Sequence, residues 1–385
     1  PVRVTGDWMT LDFAPEIEVP ADAWADWDAE NQVFITAGEK FTETQYVNRK
    51  SVFYYPEDMF DTVKWHDGSP ISVGDFVMRM ILTFDRAKEA SANYDEAYVA
   101  DFSSFISTFK GVRVLSENPL VIETYDDFWL GDADVWQVMD TWWPSYGYGP
   151  GAWHALVPGL EADANLEAAW TEDKSVANEI EQLNYIAGPT LEIMNNKLIS
   201  ATEEVLIPFA PTLGDYITAE EASARYANLT EWFRRRGHFW VGTGPFYLER
   251  AFPVEGTLIL QRFDSYPDPA DKWAGFDVPP LPVIEVDGED MVSIGEEAVY
   301  DVFATFQDAP YPAADMKMVK FLVFDATGNL AYVGEAEAVE DGYWQATLGA
   351  DVTGALEAGA NQLVVVAVSS RAVVPVTETF EFVTQ

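Results

Sequence analysis

The sequence lacks cysteine, is poor in basic side chains and has no long apolar run. Without cysteine, the 385 residues can form no disulfide bond, thiolate nucleophile or cysteine-ligated metal site. Only 22 Lys and Arg stand against 65 Asp and Glu, a formal net charge of -43. Phosphate backbones and anionic membrane surfaces would repel such a chain, so nucleic-acid binding is disfavoured. No apolar run approaches the roughly 20 residues that a membrane-spanning helix needs.

Signals of catalysis are also scarce. The three histidines, His66, His154 and His238, are far apart and show no metal-ligand spacing. A nucleophile elbow and a phosphate-binding loop are both missing, and carboxylate pairs carry little information in so acidic a chain. Glycoside hydrolysis is the best enzymatic alternative, but the residues favour a non-catalytic binding protein with no cofactor and no metal.

The first informative segment spans residues 63–75 and contains Trp65, Asp67, Gly68, Pro70 and Asp75. The Asp-Gly pair and the proline predict a strand, Val63 to Trp65, that ends in a tight turn. Ser72 then caps a helix with Asp75 in its first turn and apolar residues at helical spacing beyond it. Asp67 and Asp75 are therefore expected to have structural roles, not to bind ligand.

The second informative segment is Gly242-Thr243-Gly244-Pro245, which precedes a predicted strand starting at Phe246. Its glycines would let one backbone pass close to another. A β-branched residue in place of Gly244 is therefore expected to damage folding before specificity.

These segments resemble those of the family 5 extracellular solute-binding proteins, the oligopeptide- and dipeptide-binding components of ABC importers. That family has a W-x-DG-x-P-(I/L)-(S/T)-x-x-D turn and helix, a FKGV strand entry, then GTGPF/Y and a strand leading to an aspartate- and tyrosine-bearing turn. The same order occurs here as Trp65 to Asp75, Phe109 to Val112, Gly242 to Leu248, and Leu258 to Tyr266. The resemblance covers about residues 45–275.

The resemblance implies an α/β fold, a lobe like that of type II periplasmic binding proteins, over residues 1–278, with a helical expansion over about 150–236. It implies an extracytoplasmic protein, periplasmic or at the cell surface, that captures peptides or related small solutes and delivers them to ABC permease subunits in the membrane. Any signal peptide or membrane anchor would lie outside these residues. Oligosaccharide is the alternative solute, favoured by the tryptophan content.

Residues 283–385 differ from the preceding residues in their hydrophobic pattern. A proline-rich segment, Pro279-Pro280-Leu281-Pro282, stiffens the chain between the two regions. Short runs alternate apolar and polar residues, as in Ala298-Tyr300-Val302-Ala304 and in Tyr343 to Leu348. About seven such strands within roughly 100 residues predict an all-β immunoglobulin- or fibronectin-like sandwich.

Aromatic residues near a glycine-rich loop are the candidate ligand-binding groups. In an interlobe cleft their flat faces would stack on sugars or cover peptide side chains. Core packing is the alternative for each of them, and the stretch from Trp142 to Tyr146 is predicted to be the most exposed. The candidates are Trp142, Trp143, Tyr146, Tyr148 and Trp153.

One departure from the family pattern affects function. In typical members a further large lobe follows the GTGPF strand and closes over the ligand, whereas here the predicted sandwich follows. We expect the chain to be the C-terminal portion of such a protein, with the other lobe upstream of Pro1. By itself it should then bind solute weakly. The alternative is a non-catalytic structural module of the cell surface.

Overall fold

The computed structural model describes residues 14–128, 141–146, 149–272, 279–372 and 374–385. They form a mixed α/β structure that divides into two compact units. The α/β unit ends at Pro267, and the two-sheet unit runs from Asp268 to Gln385. Among the described residues, no helix is both long and apolar enough to cross a membrane.

Five strands of the α/β unit form one antiparallel sheet with the order β3-β2-β6-β7-β5. The remaining strands form two-stranded pairs: β1 with β4, β8 with β9, β10 with β11, and β12 with β13. The strands are β1 (Ile17–Glu18), β2 (Trp24–Asp28), β3 (Val33–Thr36), β4 (Tyr46–Val47), β5 (Arg49–Tyr54), β6 (Phe109–Glu117), β7 (Leu120–Asp126), β8 (Ser145–Tyr146), β9 (Gly149–Pro150), β10 (Ala168–Ala169), β11 (Glu181–Gln182), β12 (Phe246–Phe252) and β13 (Thr257–Arg262).

Helices supply the rest of this unit and most of its core. They are α1 (Ala37–Lys40), α2 (Met59–Thr62), α3 (Val73–Asp85), α4 (Val99–Thr108), α5 (Trp153–Ala164), α6 (Glu172–Asn178), α7 (Thr190–Glu204), α8 (Ala210–Leu213) and α9 (Ala219–Arg236), with a 3-10 turn at Glu96–Tyr98.

Helix α3 begins where the sequence predicts it to begin. The Asp75 carboxylate accepts the Ser72 backbone N–H at 2.9 Å, which satisfies one of the free amides at the helix start. Phe76, Val77 and Met80 are fully buried on this helix. Because α3 carries ten buried residues out of 13, it is the central helix of the unit.

Two further sequence patterns predict local structure, and both predictions are confirmed. Val112 to Val114 and Leu120 to Thr124 are typical of two strands joined by a turn at Ser116 to Pro119, and Thr218 to Glu221 is typical of a capping box that opens a helix. Strands β6 and β7 form the predicted hairpin, with Val114 opposite Ile122. Helix α9 starts at the predicted cap, where the Thr218 side chain accepts the Glu221 N–H at 3.1 Å. It ends at Gly237, whose φ of 76° closes the helix in the left-handed conformation that favours glycine.

The two-sheet unit consists of two five-stranded sheets. One contains β14-β16-β21-β20, with β17 paired to β16, and the other has the order β15-β23-β22-β18-β19. The elements are β14 (Val283–Gly288), β15 (Met291–Val292), β16 (Ala298–Phe306), β17 (Ala309–Pro310), β18 (Met316–Phe324), β19 (Leu330–Glu335), β20 (Glu337–Glu340), β21 (Tyr343–Leu348), α10 (Ala350–Thr353), β22 (Gly359–Ser369) and β23 (Val376–Thr384), with a 3-10 turn at Ala313–Asp315.

The predicted alternation decides which side chains enter the core of this unit. Tyr300, Val302 and Ala304 are fully buried on β16, and Trp344, Ala346 and Leu348 are buried on β21. They pack with Phe321, Val323 and Val365 of the other sheet in one hydrophobic cluster. The strands in the described part of this unit number ten, more than the seven expected, and two of them are only two residues long.

Candidate functional site

The two informative segments meet in the structure. Trp65 to Ser69 forms a tight turn, closed by the Trp65 N–H donating to the Ser69 carbonyl at 2.8 Å, with Gly68 at φ 93°. The predicted strand before the turn is wrong, because only one bridge, Lys64 to Pro70, pairs there. The Ile71 N–H donates to the Val63 carbonyl at 3.2 Å beside this bridge, but no longer ladder forms among the described residues.

His66 joins this turn to the second segment. Its backbone N–H donates to the Gly242 carbonyl at 2.8 Å, its Nδ1 accepts the Gly242 N–H at 3.1 Å, and its Nε2 contacts the Gly244 carbonyl at 2.9 Å. Only a neutral ring with the proton on Nε2 satisfies all three contacts. Burial lowers the pKa of His66 below its ordinary 6.5, which favours that neutral form.

The two glycines of the second segment have different roles. A Cβ on Gly242 would lie 3.2 Å from Cε1 of His66, so the backbone passes close to that ring. A Cβ on Gly244 would meet nothing nearer than the Phe246 carbonyl oxygen at 4.0 Å. The close approach of the two backbones therefore belongs to Gly242 and not to Gly244, and neither residue has a positive φ. The expected folding damage from a β-branched residue at Gly244 stays a prediction.

Behind this junction, Asp75 lies at the centre of a buried hydrogen-bond network. Its side chain is fully buried and forms a bidentate ion pair with Arg225, both N···O distances being 2.8 Å. It also accepts the Trp65 Nε1–H at 3.2 Å and the Trp153 N–H at 3.0 Å. Because every donor points at one carboxylate, the network fixes α3, α5, α9 and the turn relative to one another.

Asp67 and His154 extend the network. His154 Nε2 lies 2.8 Å from the Asp67 carboxylate, and Arg225 donates to His154 Nδ1 at 3.3 Å. Burial alone would raise the pKa of Asp67, but the contact with His154 and the N–H of Ser69 hold it below its ordinary 3.8. Burial alone would lower the pKa of Arg225, but Asp75 and Glu221 raise it instead. Both groups stay charged at neutral pH.

The network contains the residue types of a catalytic site, an aspartate, a histidine and an arginine. Unlike catalytic side chains, however, these side chains are not accessible to solvent. The side chains of Asp67, Asp75 and His154 are 0% exposed and that of Arg225 is 1% exposed. No substrate atom can reach them in this arrangement. The predicted structural roles of Asp67 and Asp75 agree with this geometry. Both residues also bind side chains of distant helices, which the turn and the helix start alone did not predict.

The aromatic candidates lie mainly in the core. Trp142 is fully buried and donates from Nε1 to Thr124 Oγ1 at 2.9 Å. Tyr146 is 3% exposed and lies under the Arg86 guanidinium, which is 3.9 Å from its ring centroid. Trp153 is fully buried.

The predicted exposure is therefore wrong for Trp142 and Tyr146, because the hydrophobic gain from burying large rings outweighs their placement beside a glycine-rich loop. Trp143 is half-buried and packs edge-on against Phe76, 5.8 Å away. Tyr148 lies outside the described residues.

A cavity of about 330 Å³ lies at the other end of α3. Four parts of the α/β unit enclose it: the β2–β3 turn, the end of α3 with the loop after it, α5, and the segment between α7 and α8. The lining residues are Ala29, Gln32, Asp85, Ser91, Ala92, Asn93, Val157, Leu160, Glu161, Ala164, Leu206, Ile207, Pro208, Phe209 and Ala210. This volume and mostly apolar lining are typical of small-molecule sites.

Asp85 is the buried polar group of this cavity. Its side chain accepts hydrogen bonds from Trp27 Nε1 at 2.8 Å and from the Ser91 hydroxyl, and the residue is 1% exposed. Within the described residues, no basic side chain forms an ion pair with it. Burial raises the pKa of Asp85 above its ordinary 3.8, although the nearby Arg86 charge offsets part of this effect.

Glu161 on α5 is the second carboxyl of the lining. Burial raises its pKa above the ordinary 4.5, opposed by the charge of Lys197 and reinforced by that of Glu204. Lys197 itself pairs with Glu167 at 2.6 Å. The lining therefore contains two acidic residues whose surroundings disfavour negative charge.

The backbone of the cavity wall is strained at two positions. Gln32 has φ 55° and Phe209 has φ 47°, both in the left-handed region that residues other than glycine rarely adopt. The Thr212 hydroxyl donates to the Gln32 carbonyl at 2.8 Å, which connects the two strained segments. Strain of this kind is concentrated at functional sites.

No match to this chain was found among protein-family models or among curated proteins. Within the part of the chain that the structure describes, no group of three or more His, Asp or Glu side chains is arranged to hold a metal ion. The assignment of function therefore depends on the chain's own sequence and geometry.

Sequence reasoning missed the cavity, although one signal was visible. Asp85 is the last residue of α3, where the negative end of the helix dipole disfavours a carboxylate. A residue found where local structural preferences disfavour it is a candidate for a functional role. The partners of Asp85 come from β2 and from the loop after α3, and only the folded chain brings them to it.

Proposed function

We propose that this protein is an extracytoplasmic solute-binding component of an ABC importer, which captures a small organic solute for membrane permease subunits. The observation that supports this proposal most directly is the cavity in the α/β unit. Its lining is mostly apolar and includes a few polar groups. The family 5 resemblance supplies the importer context, and its two segments are in direct contact at His66 and Gly242. Peptides or related compounds are the first choice of solute, and oligosaccharides are the second.

The fold assignment belongs to the same proposal. We interpret the α/β unit as a lobe of the type II periplasmic-binding-protein class and the two-sheet unit as an immunoglobulin- or fibronectin-like sandwich. The sandwich would act as a spacer or a docking module, since a fold by itself carries no chemistry. Binding would select a solute-loaded state that docks on the permease, where other subunits hydrolyse ATP.

A thermal-unfolding screen with libraries of short peptides and of oligosaccharides tests this function. A solute that binds only the folded state raises the melting temperature by mass action. The Ala164→Leu variant, which fills the cavity, should abolish the shift. The control is Ala224→Leu, placed in a separate surface depression on α9, which should keep it.

Three outcomes separate the alternatives. A shift that disappears only in Ala164→Leu supports the cavity as the solute site. A shift that both variants keep places the solute elsewhere, for example in a cleft completed by a second lobe. If no solute of either class shifts the native protein, the proposal fails and a structural surface module becomes the better assignment.

A further inference from the structure

The charged residues that line the cavity have one sign. Among the described residues, the lining includes two acidic residues, Asp85 and Glu161, and no lysine, arginine or histidine. The uncharged polar groups are Gln32, Ser91 and Asn93. The carbonyl end of α3 adds negative potential at Asp85. An anionic solute would therefore be repelled.

Asp85 is already hydrogen-bonded, but no basic side chain among the described residues forms an ion pair with it, and the nearby Arg86 charge lowers its pKa only in part. Its two donors, Trp27 and Ser91, are both uncharged. The guanidinium of the next residue, Arg86, is instead held between two tyrosine rings, 3.5 Å from the centroid of Tyr98 and 3.9 Å from that of Tyr146. A buried carboxylate is costly unless a positive charge accompanies it.

The contrast with Asp75 on the same helix supports this point. Asp75 receives a full bidentate guanidinium from Arg225, so this fold does supply counter-ions to buried carboxylates. Asp85 has no such partner among the described residues, and it lines the cavity. The missing positive charge can therefore come from a bound solute.

The other lining residues indicate which chemical groups the remainder of that solute should carry. Val157, Leu160, Ile207 and Phe209 give apolar walls, which suit a hydrocarbon group and not a hydrated ion. A hard metal cation needs six or more oxygen ligands, and the described residues offer no metal-binding group. The complementary chemistry is an ammonium group on an apolar body.

We propose that the cavity binds an organic cation of the alkylammonium class, with Asp85 as its counter-ion and Glu161 as a second, weaker contact. This inference rests on the proposed solute-binding function and specifies the class of solute. The ammonium would form an ion pair with the Asp85 carboxylate. The alkyl chain would contact the apolar walls.

Isothermal titration with three probes of equal length, n-butylammonium, 1-butanol and butyrate, tests the inference at fixed ionic strength. The native protein should bind butylammonium at least about tenfold more tightly than butanol, since hydrogen bonds between charged groups exceed neutral ones by that margin. Butyrate should not bind. Ala164→Leu should abolish binding by filling the cavity.

Variants separate the site from the general acidity of the protein. Asp85→Asn keeps the size of the side chain and an acceptor for Trp27, and should weaken butylammonium binding about tenfold. Asp215→Asn removes one exposed carboxylate outside the cavity and should leave the affinity unchanged. If Asp85→Asn fails to fold, Glu161→Gln serves instead and should weaken binding about threefold.

Other results would overturn the inference. Equal binding of butanol and butylammonium would show an apolar pocket without charge selection, and the solute-binding function would survive. Equal losses in Asp85→Asn and Asp215→Asn would show that cations only associate with the acidic surface. If no probe binds while a peptide or sugar shifts the melting temperature, only the cation inference fails. If nothing binds in either experiment, both proposals fail.

Discussion

The two ends of helix α3 bury an aspartate in opposite ways. Asp75, in the first turn, has the favourable end of the helix dipole, two backbone donors and the whole guanidinium of Arg225. Asp85, at the last residue, has the unfavourable end and two uncharged donors. The first arrangement fixes the packing of several elements. The second leaves a buried carboxyl group that has no ion-pair partner among the described residues. That residue also lines a cavity.

The comparison shows how burial by itself can mislead. Both side chains are almost completely removed from solvent, so exposure does not distinguish them. Their partners do, because a carboxylate with a guanidinium is stable in place, whereas one without a counter-ion is disfavoured by burial. Substitutions at Arg225 and Asp85 test this contrast directly, and a substitution at Gly242 tests the junction beside Asp75.

The largest effect is expected from Arg225→Met, which would leave Asp75 buried without its counter-ion. Unfolding in urea should show a loss of about 3–5 kcal/mol. Arg235→Met on the same helix removes an arginine whose side chain is 63% exposed, and should cost less than about 0.5 kcal/mol. Adding Asp75→Asn to Arg225→Met should recover part of the loss. Similar losses in Arg225→Met and Arg235→Met would contradict a buried ion pair that holds the junction together.

A smaller effect is expected at the contact between the two informative segments. Gly242→Ala places a methyl group against the His66 ring and should cost about 1–2 kcal/mol in the same measurement. Gly244→Ala is the matched control, with open space around its Cβ, and should be close to neutral. If the Gly244 variant were the more damaged of the two, the assignment of the close approach to Gly242 would be wrong.

The smallest effect, of opposite sign, is expected from Asp85→Asn, which should stabilise the unliganded protein by roughly 1 kcal/mol at pH 7. The folded-state pKa of Asp85 lies above its ordinary 3.8. Ionisation therefore lowers the stability of the native protein as the pH rises from 3.8 through the folded-state pKa, and asparagine does not ionise. The gain should shrink toward zero below pH 3.8.

Thermal unfolding of both proteins across this pH range measures the difference. Asp215→Asn should show no comparable change, because its carboxylate is exposed. A destabilised Asp85→Asn protein at pH 7 would mean that the carboxylate is already compensated in the fold.

Sequence patterns predicted the local elements well because local physics decides them. The cap at Ser72 and Asp75, the hairpin of β6 and β7, the start of α9 at Thr218 and the alternation along β16 all depend on neighbours in the chain. The α/β class that the family 5 resemblance implies agrees with the mixed α/β structure observed. The family 5 resemblance and the solute class stay predictions.

Only the tertiary structure decided which residues became partners and which side chains reached solvent. Asp75 and Arg225 are 150 residues apart, and His66 and Gly242 are 176 residues apart. No local pattern encodes such pairs. Trp142 and Tyr146 were placed in the core by the shape of the surrounding helices and strands, against the loop signal beside them. The charge balance of the chain is fixed by its composition. The burial of Asp85 with no ion-pair partner among the described residues arises instead from long-range packing.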